Sequence, residues 1–139
     1  MTDSLQILLI EDSDDDAEMT QRALIRNKVA NRIERATDGP AALEFLAKGP
    51  LPKLILLDLK LPRMNGLEVL RAIRESPRTR LIPVVVLSSS REEPDIAAAY
   101  ALGVNSYIVK PVEFDAFIKA VSEAGLYWML LNEPPRVNP

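Results

Sequence analysis

Short, almost wholly apolar runs alternate along this chain with segments whose apolar residues recur every three or four positions. The first run, Leu5 to Ile10, gives way to Ser13-Asp14-Asp15-Asp16, where Ser13 can cap a helix and the aspartates favour the positive end of its dipole. Ala17, Thr20, Ala23 and Leu24 then mark one helical face. A weaker strand from Arg32 to Ala36 ends at Asp38-Gly39-Pro40, with Pro40 suited to a first helical turn and Ala42, Leu43 and Leu46 continuing the helix. Leu54 to Asp58 reads as the third strand, with Leu67, Leu70 and Ile73 on the helix behind it. Val84 to Leu87 is the fourth and leads to Ser88, followed by Ile96, Ala99 and Tyr100 at helical spacing. Tyr107 to Val109 is the fifth, and Phe114, Phe117, Ile118 and Val121 repeat as a helix would after it.

Five strands and five helices in alternation define an α/β protein. Continuously apolar strands belong in a parallel sheet covered on both faces, so the sheet is doubly wound. Ligands of such sheets bind beyond the carboxyl ends of the strands. Glu11 and Asp12 follow the first strand, Asp58 the third, Ser88 the fourth and Lys110 the fifth. Parallel neighbours would therefore gather three carboxylates, a hydroxyl and an ammonium in one cleft.

Composition narrows the chemistry. At 139 residues the chain suits one domain, and its net charge of -3 comes with no basic stripe, which argues against direct nucleic-acid binding. Having no cysteine, it can form no disulfide, thiolate nucleophile or zinc-thiolate site. No apolar stretch approaches the roughly 20 residues that span a bilayer, and the start Met1-Thr2-Asp3-Ser4 has no leader pattern, so a cytoplasmic location is expected.

Clustered carboxylates repel one another unless a hard cation relieves them, and magnesium does so with oxygen ligands while keeping several waters. A carboxylate held beside such a cation can attack a phosphoryl group to give an aspartyl phosphate. Lys110, Ser88 and the cation would stabilise the charge on the transferring oxygens. Each residue also has a plainer reading. Asp14, Asp15 and Asp16 are explained by the helix dipole alone and are left outside the site. Ser88-Ser89-Ser90 could be a polar loop, Tyr107 a half-buried strand aromatic, and Lys110 a solvated strand end.

Glu11-Asp12, the run Leu57-Asp58-Leu59-Lys60-Leu61-Pro62-Arg63-Met64-Asn65-Gly66, Ser88, and Tyr107 with Lys110-Pro111 together resemble the receiver domain of two-component response regulators, a CheY-like family. The resemblance covers almost the whole chain. It implies a flavodoxin-like receiver fold with strand order 2-1-3-4-5, and a phosphoryl group accepted on Asp58 from a sensor histidine kinase. It also implies magnesium held by Asp12, Asp58 and the Lys60 backbone carbonyl, with Glu11 assisting. Ser88 and Lys110 would contact the phosphoryl group, Tyr107 would turn inward as Ser88 moves, and the Lys110-Pro111 bond would be cis. Ser89 departs from the small residue usual after the switch hydroxyl. Lys60 and Ser90 occupy positions that vary in the family and tune the lifetime of the phosphate.

The receiver is expected over 1-125, and 126-139 would be a C-terminal helix extension and tail with no effector domain. That segment carries Gly125-Leu126-Tyr127-Trp128-Met129-Leu130-Leu131. Trp128 and Leu131 either extend the last helix and pack back on the sheet or form a contact surface. The aromatic-rich end resembles single-domain receivers serving bacterial phytochromes, which implies a bacteriophytochrome as kinase. It also implies a homodimer through the fourth helix, fifth strand, fifth helix and extension, with Tyr107, Trp128 and Leu131 at the interface. The expected role is a stand-alone response regulator that switches a protein surface and is not an enzyme beyond its own phosphoryl transfer and hydrolysis. With no histidine, it cannot be its own phosphohistidine donor. The alternatives are a receiver-like scaffold that is never phosphorylated and a flavin-binding flavodoxin-like protein. The acidic loop after the first strand would repel the phosphate of a flavin. An aspartyl phosphatase would need a carboxylate where Lys60 stands.

Overall fold

Five parallel strands form one sheet in the order β2-β1-β3-β4-β5. The structure is a computed structural model and describes residues 5–26, 32–110, 115–116, 119–120 and 123. The strands are β1 (Ile7–Ile10), β2 (Ile33–Ala36), β3 (Leu54–Leu57), β4 (Val84–Ser88) and β5 (Ser106–Val109). They alternate with α1 (Asp14–Arg26), α2 (Gly39–Lys48), α3 (Gly66–Glu75) and α4 (Glu93–Ala101). Where a fifth helix is expected, Asp115, Ala116, Lys119, Ala120 and Glu123 are helical, and the rest of that segment lies outside the described residues. Pro111 and the extension with Trp128 and Leu131 also lie outside them, and so do the calls made on those residues.

Alternation along the central strands divides the core into two layers. Leu8 and Ile10 of β1, Ile55 and Leu57 of β3, and Val84 and Val86 of β4 pack with Ala42 and Leu46 of α2 and Val69, Leu70 and Ile73 of α3. Ile7 and Leu9, Leu54 and Leu56, and Val85 and Leu87 face the other way, onto Ala17, Ala23 and Leu24 of α1. Successive strand residues point to opposite faces, so a sheet covered on both sides needs apolar residues at every position, which these strands supply. Each fully buried Leu or Ile contributes roughly 2 kcal/mol relative to exposure.

Local signals set where the strands hand over to helices. Ser13 Oγ accepts the Asp16 amide at 3.2 Å, capping α1 as its sequence suggests. Asp38 caps α2 by accepting the Ala41 amide at 2.8 Å. Asn65 and Glu68 form a reciprocal capping box at the start of α3. Beside it, Gly66 donates its amide to the Leu59 carbonyl at 2.8 Å, and a Cβ there would lie 2.5 Å from the Asp58 carbonyl oxygen. Only glycine fits this approach, which clamps the loop that follows β3 and holds Asp58 in place.

Candidate functional site

The carboxyl ends of β1, β3, β4 and β5 open onto a common cleft, and the backbone ladder fixes what each strand delivers. The Glu11 amide donates to the Ala36 carbonyl at 3.0 Å and the Asp58 amide to the Ile10 carbonyl at 3.0 Å. Beyond them the Lys110 amide donates to the Ser88 carbonyl at 2.7 Å. Glu11, Asp58 and Ser88 are buried, whereas Asp12 is exposed.

Carboxylate oxygens of Glu11, Asp12 and Asp58 all lie within 4.8 Å of one another. Lys110 reaches into this group. Its Nζ donates to Glu11 Oε1 at 2.8 Å, Asp16 Oδ2 at 2.8 Å and Asp58 Oδ2 at 3.2 Å, which uses all three ammonium protons. The other oxygen of Asp58 accepts the Lys60 amide at 3.1 Å, and Glu11 Oε2 accepts the Ser13 amide at 3.2 Å.

The electrostatics of the cluster follow from burial. Burial raises the Glu11 carboxyl from its ordinary 4.5 to about 7; the neighbouring Asp58 carboxylate adds to the rise and Lys110 opposes it. Burial alone would lower the Lys110 ammonium, but its hydrogen bonds to Asp16 and Glu11 and the Asp58 charge outweigh this and hold it above the ordinary lysine value. Lys110 is therefore a permanent cation. Lys110 pairs with three carboxylates, and Asp12 adds a fourth to the cluster, so the negative charges outnumber the ammonium. A set of oxygen donors with surplus negative charge, two of them buried and Asp12 open to solvent, suits a hard divalent ion.

Ser88 and Tyr107 meet through one loop residue. Ser88 Oγ accepts the Ser90 amide at 3.1 Å, and the half-buried Tyr107 donates its hydroxyl to the Ser90 carbonyl at 3.0 Å. The Ser90 hydroxyl in turn donates to Asp95 in the first turn of α4.

Residues 7–122 match the family profile described as the response regulator receiver domain. The chain belongs to the response regulator receiver family. Among its relatives, the probable methanogenesis regulatory protein FilR2 of Methanothrix harundinacea is 42% identical over 138 residues, covering 96% of this chain and 89% of that protein. Response regulator Rcp1 of Synechocystis sp. is 39% identical over 88% of each chain. The Mn(2+)-bound form of Rcp1 superposes with a TM-score of 0.88 at 37% identity, over 95% of this chain and 99% of that one. The phosphorylated cyanobacterial phytochrome response regulator RcpA superposes with a TM-score of 0.89 at 36% identity, over 96% and 99%. The fold is thus the flavodoxin-like receiver fold, and its acidic cluster fits a divalent cation. No described helix is long and apolar enough to cross a membrane.

The structure brings Glu11, Asp12, Asp58 and Lys110 together, with the Ser88 carbonyl on the Lys110 amide and Tyr107 joined to Ser88 through Ser90. Two residues of the site were missed in the sequence. Asp16, set aside with its neighbours as a dipole charge, lies on Lys110. A helical side chain leans toward the helix amino terminus, so an acid in the first turn of α1 can point back over the β1 loop, and that lean was the available signal. Arg35 on β2 donates from Nε to the Glu11 carbonyl at 3.0 Å and from Nη1 to Asp14 at 2.8 Å, pinning the acidic loop from the neighbouring edge strand. Asp14 is thereby assigned as well, while Asp15 remains exposed.

Proposed function

We propose that Asp58 is the phosphoacceptor, with Lys110 and Ser88 as its phosphoryl contacts and Glu11, Asp12, Asp58 and the Lys60 backbone carbonyl as the magnesium site. The observation that carries this reading is the buried Asp58 carboxylate, held by the Lys60 amide at 3.1 Å and by Lys110 at 3.2 Å within the acidic cluster. The Asp58 carboxylate attacks phosphorus, a P–O bond forms, and the P–N bond of a kinase phosphohistidine breaks with its electron pair leaving on the imidazole. Magnesium, when bound, supplies charge neutralisation to the carboxylates and to the phosphoryl oxygens. Lys110 offers the phosphoryl group the proton it now gives to Asp58, and Ser88 offers its hydroxyl proton while its oxygen keeps the Ser90 amide.

The output is a change of surface. A phosphoryl group that draws Ser88 inward pulls on Ser90, and so on Tyr107 and Asp95, biasing β5 and α4 toward one of two arrangements. The partner class is a sensor histidine kinase. The likeness to RcpA, a cyanobacterial phytochrome response regulator, supports a phytochrome-type kinase for this chain. A homodimer through α4, β5 and the following helix is the accompanying expectation.

Intact-mass measurement with magnesium and acetyl phosphate tests the acceptor. Wild type gains one phosphoryl group and Asp58→Asn gains none. Equal labelling of both proteins, or of neither, refutes the assignment.

A further inference from the structure

We infer that Asp16 is a positioning residue for Lys110, holding the ammonium in the cleft when a dication is present. The inference rests on the cation and phosphoacceptor reading of the site. Lys110 has three acceptors, and two of them, Glu11 and Asp58, also belong to the carboxylate cluster with Asp12. A dication held by that cluster would draw on the same carboxylates and repel the ammonium across a short gap. Asp16 is outside the cluster. At 2.8 Å it is as close to Lys110 as Glu11 is, and it approaches from α1.

The placement of Asp16 suits this task. Its amide is fixed by Ser13 Oγ at 3.2 Å, and its carbonyl accepts the Thr20 hydroxyl at 2.8 Å, so the first turn of α1 is braced on both sides. Thr20 is itself buried. The Asp16 carboxylate is therefore presented from a rigid turn and not from a loop. With Asp16 in place, magnesium and Lys110 can occupy the cleft together, and the ammonium stays aimed at Asp58. Without it, the ammonium has only shared acceptors and is displaced as the cation enters. The Asp16 side chain is 31% exposed, so an isosteric amide can replace it without disturbing the core.

Two readouts test the inference. In protein carrying 15N-lysine, the slowly exchanging Lys110 ammonium signal, assigned by its loss in Lys110→Met, persists in wild type when magnesium is added and disappears in Asp16→Asn. At saturating magnesium, Asp16→Asn takes phosphoryl from acetyl phosphate about tenfold more slowly than wild type, and the same substitution has no further effect in a Lys110→Met background. An ammonium signal that survives magnesium in Asp16→Asn overturns the inference, and so does equal slowing in both backgrounds. Failure of wild type to take phosphoryl would refute the acceptor assignment, while the ammonium signal would still decide the role of Asp16.

Discussion

Each end of the sheet holds a partly buried cation, and the two are partnered in opposite ways. At the amino ends of the strands, Arg74 of α3 spends its donors on neutral oxygens: the Arg80 and Ile82 carbonyls, the Gly103 carbonyl twice, and Asn105 Oδ1, all within 3.0 Å. At the carboxyl ends, Lys110 faces three carboxylates. A planar guanidinium saturated by backbone carbonyls has no alternative arrangement of similar energy, so Arg74 ties α3 to the approaches of β4 and β5 permanently. An ammonium among carboxylates can exchange acceptors as charge enters the site. The first cation is a rivet and the second a movable counterion, which is what a fold needs if one end is to stay fixed while the other switches.

The strongest way to break this contrast is to remove each cation in turn. Lys110→Ala lowers phosphoryl uptake from acetyl phosphate by about a hundredfold, the scale of losing one preorganised donor to a developing charge. It also lowers the melting temperature of metal-free protein, and magnesium restores much of that loss by taking over the neutralisation. Arg74→Ala takes the guanidinium from the Arg80, Ile82 and Gly103 carbonyls, while Asn105 Oδ1 keeps the Val84 amide at 2.8 Å, and costs roughly 2 kcal/mol of stability. Its folded fraction takes phosphoryl normally, and magnesium recovers none of the stability. Thermal unfolding of both variants with and without magnesium reads the difference directly; a magnesium-sensitive Arg74→Ala would erase the distinction between the two ends.

The pH response sharpens the same point with a smaller effect. Folding raises the Glu11 carboxyl from 4.5 to about 7, so the folded protein binds this proton more tightly than the unfolded chain does. The resulting stabilisation is fully present below about pH 4.5 and is lost as pH rises through about 7. Metal-free protein should therefore lose up to roughly 3 kcal/mol across that window, the equivalent of the shift. Glu11→Gln removes the slope, and magnesium flattens it by replacing the proton as the neutralising charge. A slope that survives in Glu11→Gln would assign the titration to another group.

How much of this could be read beforehand differs between the same two ends. The runs 7–10, 54–57 and 84–87 are apolar at every position because both faces of the sheet are covered, and that pattern gave strands, helices and the carboxyl-end cleft together. Glu11, Asp12, Asp58 and Lys110 were legible because each stands at or just after a strand end, where topology alone assigns the side. Asp16 was not, because three consecutive acids at a helix start are sufficiently explained by the dipole, and only the phase of the helix separates the one that reaches Lys110. Arg35 lies on β2, whose alternation is weak, so its direction toward Glu11 could not be read. The Arg74 tie joins residues 29 to 31 positions apart in the chain at Gly103 and Asn105, and no local pattern encodes it. Sequence announces chemistry gathered by strand ends more readily than rivets made to bare backbone.

The smallest expected effect concerns how the movable end reaches the surface. Among the described residues, the Tyr107 hydroxyl reaches the site through the Ser90 carbonyl, at 3.0 Å, while Ser90 is joined to Ser88 by its amide and to Asp95 by its hydroxyl. Tyr107→Phe removes that single hydrogen bond and keeps the ring packed against the core, so it costs about 1 kcal/mol in thermal unfolding. Phosphoryl uptake at Asp58 stays within about twofold of wild type, because the donors of the cleft are untouched. What changes is the link from Ser88 to β5: any phosphoryl-dependent change in self-association, read by native mass spectrometry, is diminished in the variant while the acyl phosphate still forms. A tenfold loss of uptake in Tyr107→Phe would instead place the tyrosine among the groups that hold the phosphoryl, and the boundary between the chemical part of the movable end and its relay would have to be redrawn one residue closer to the surface.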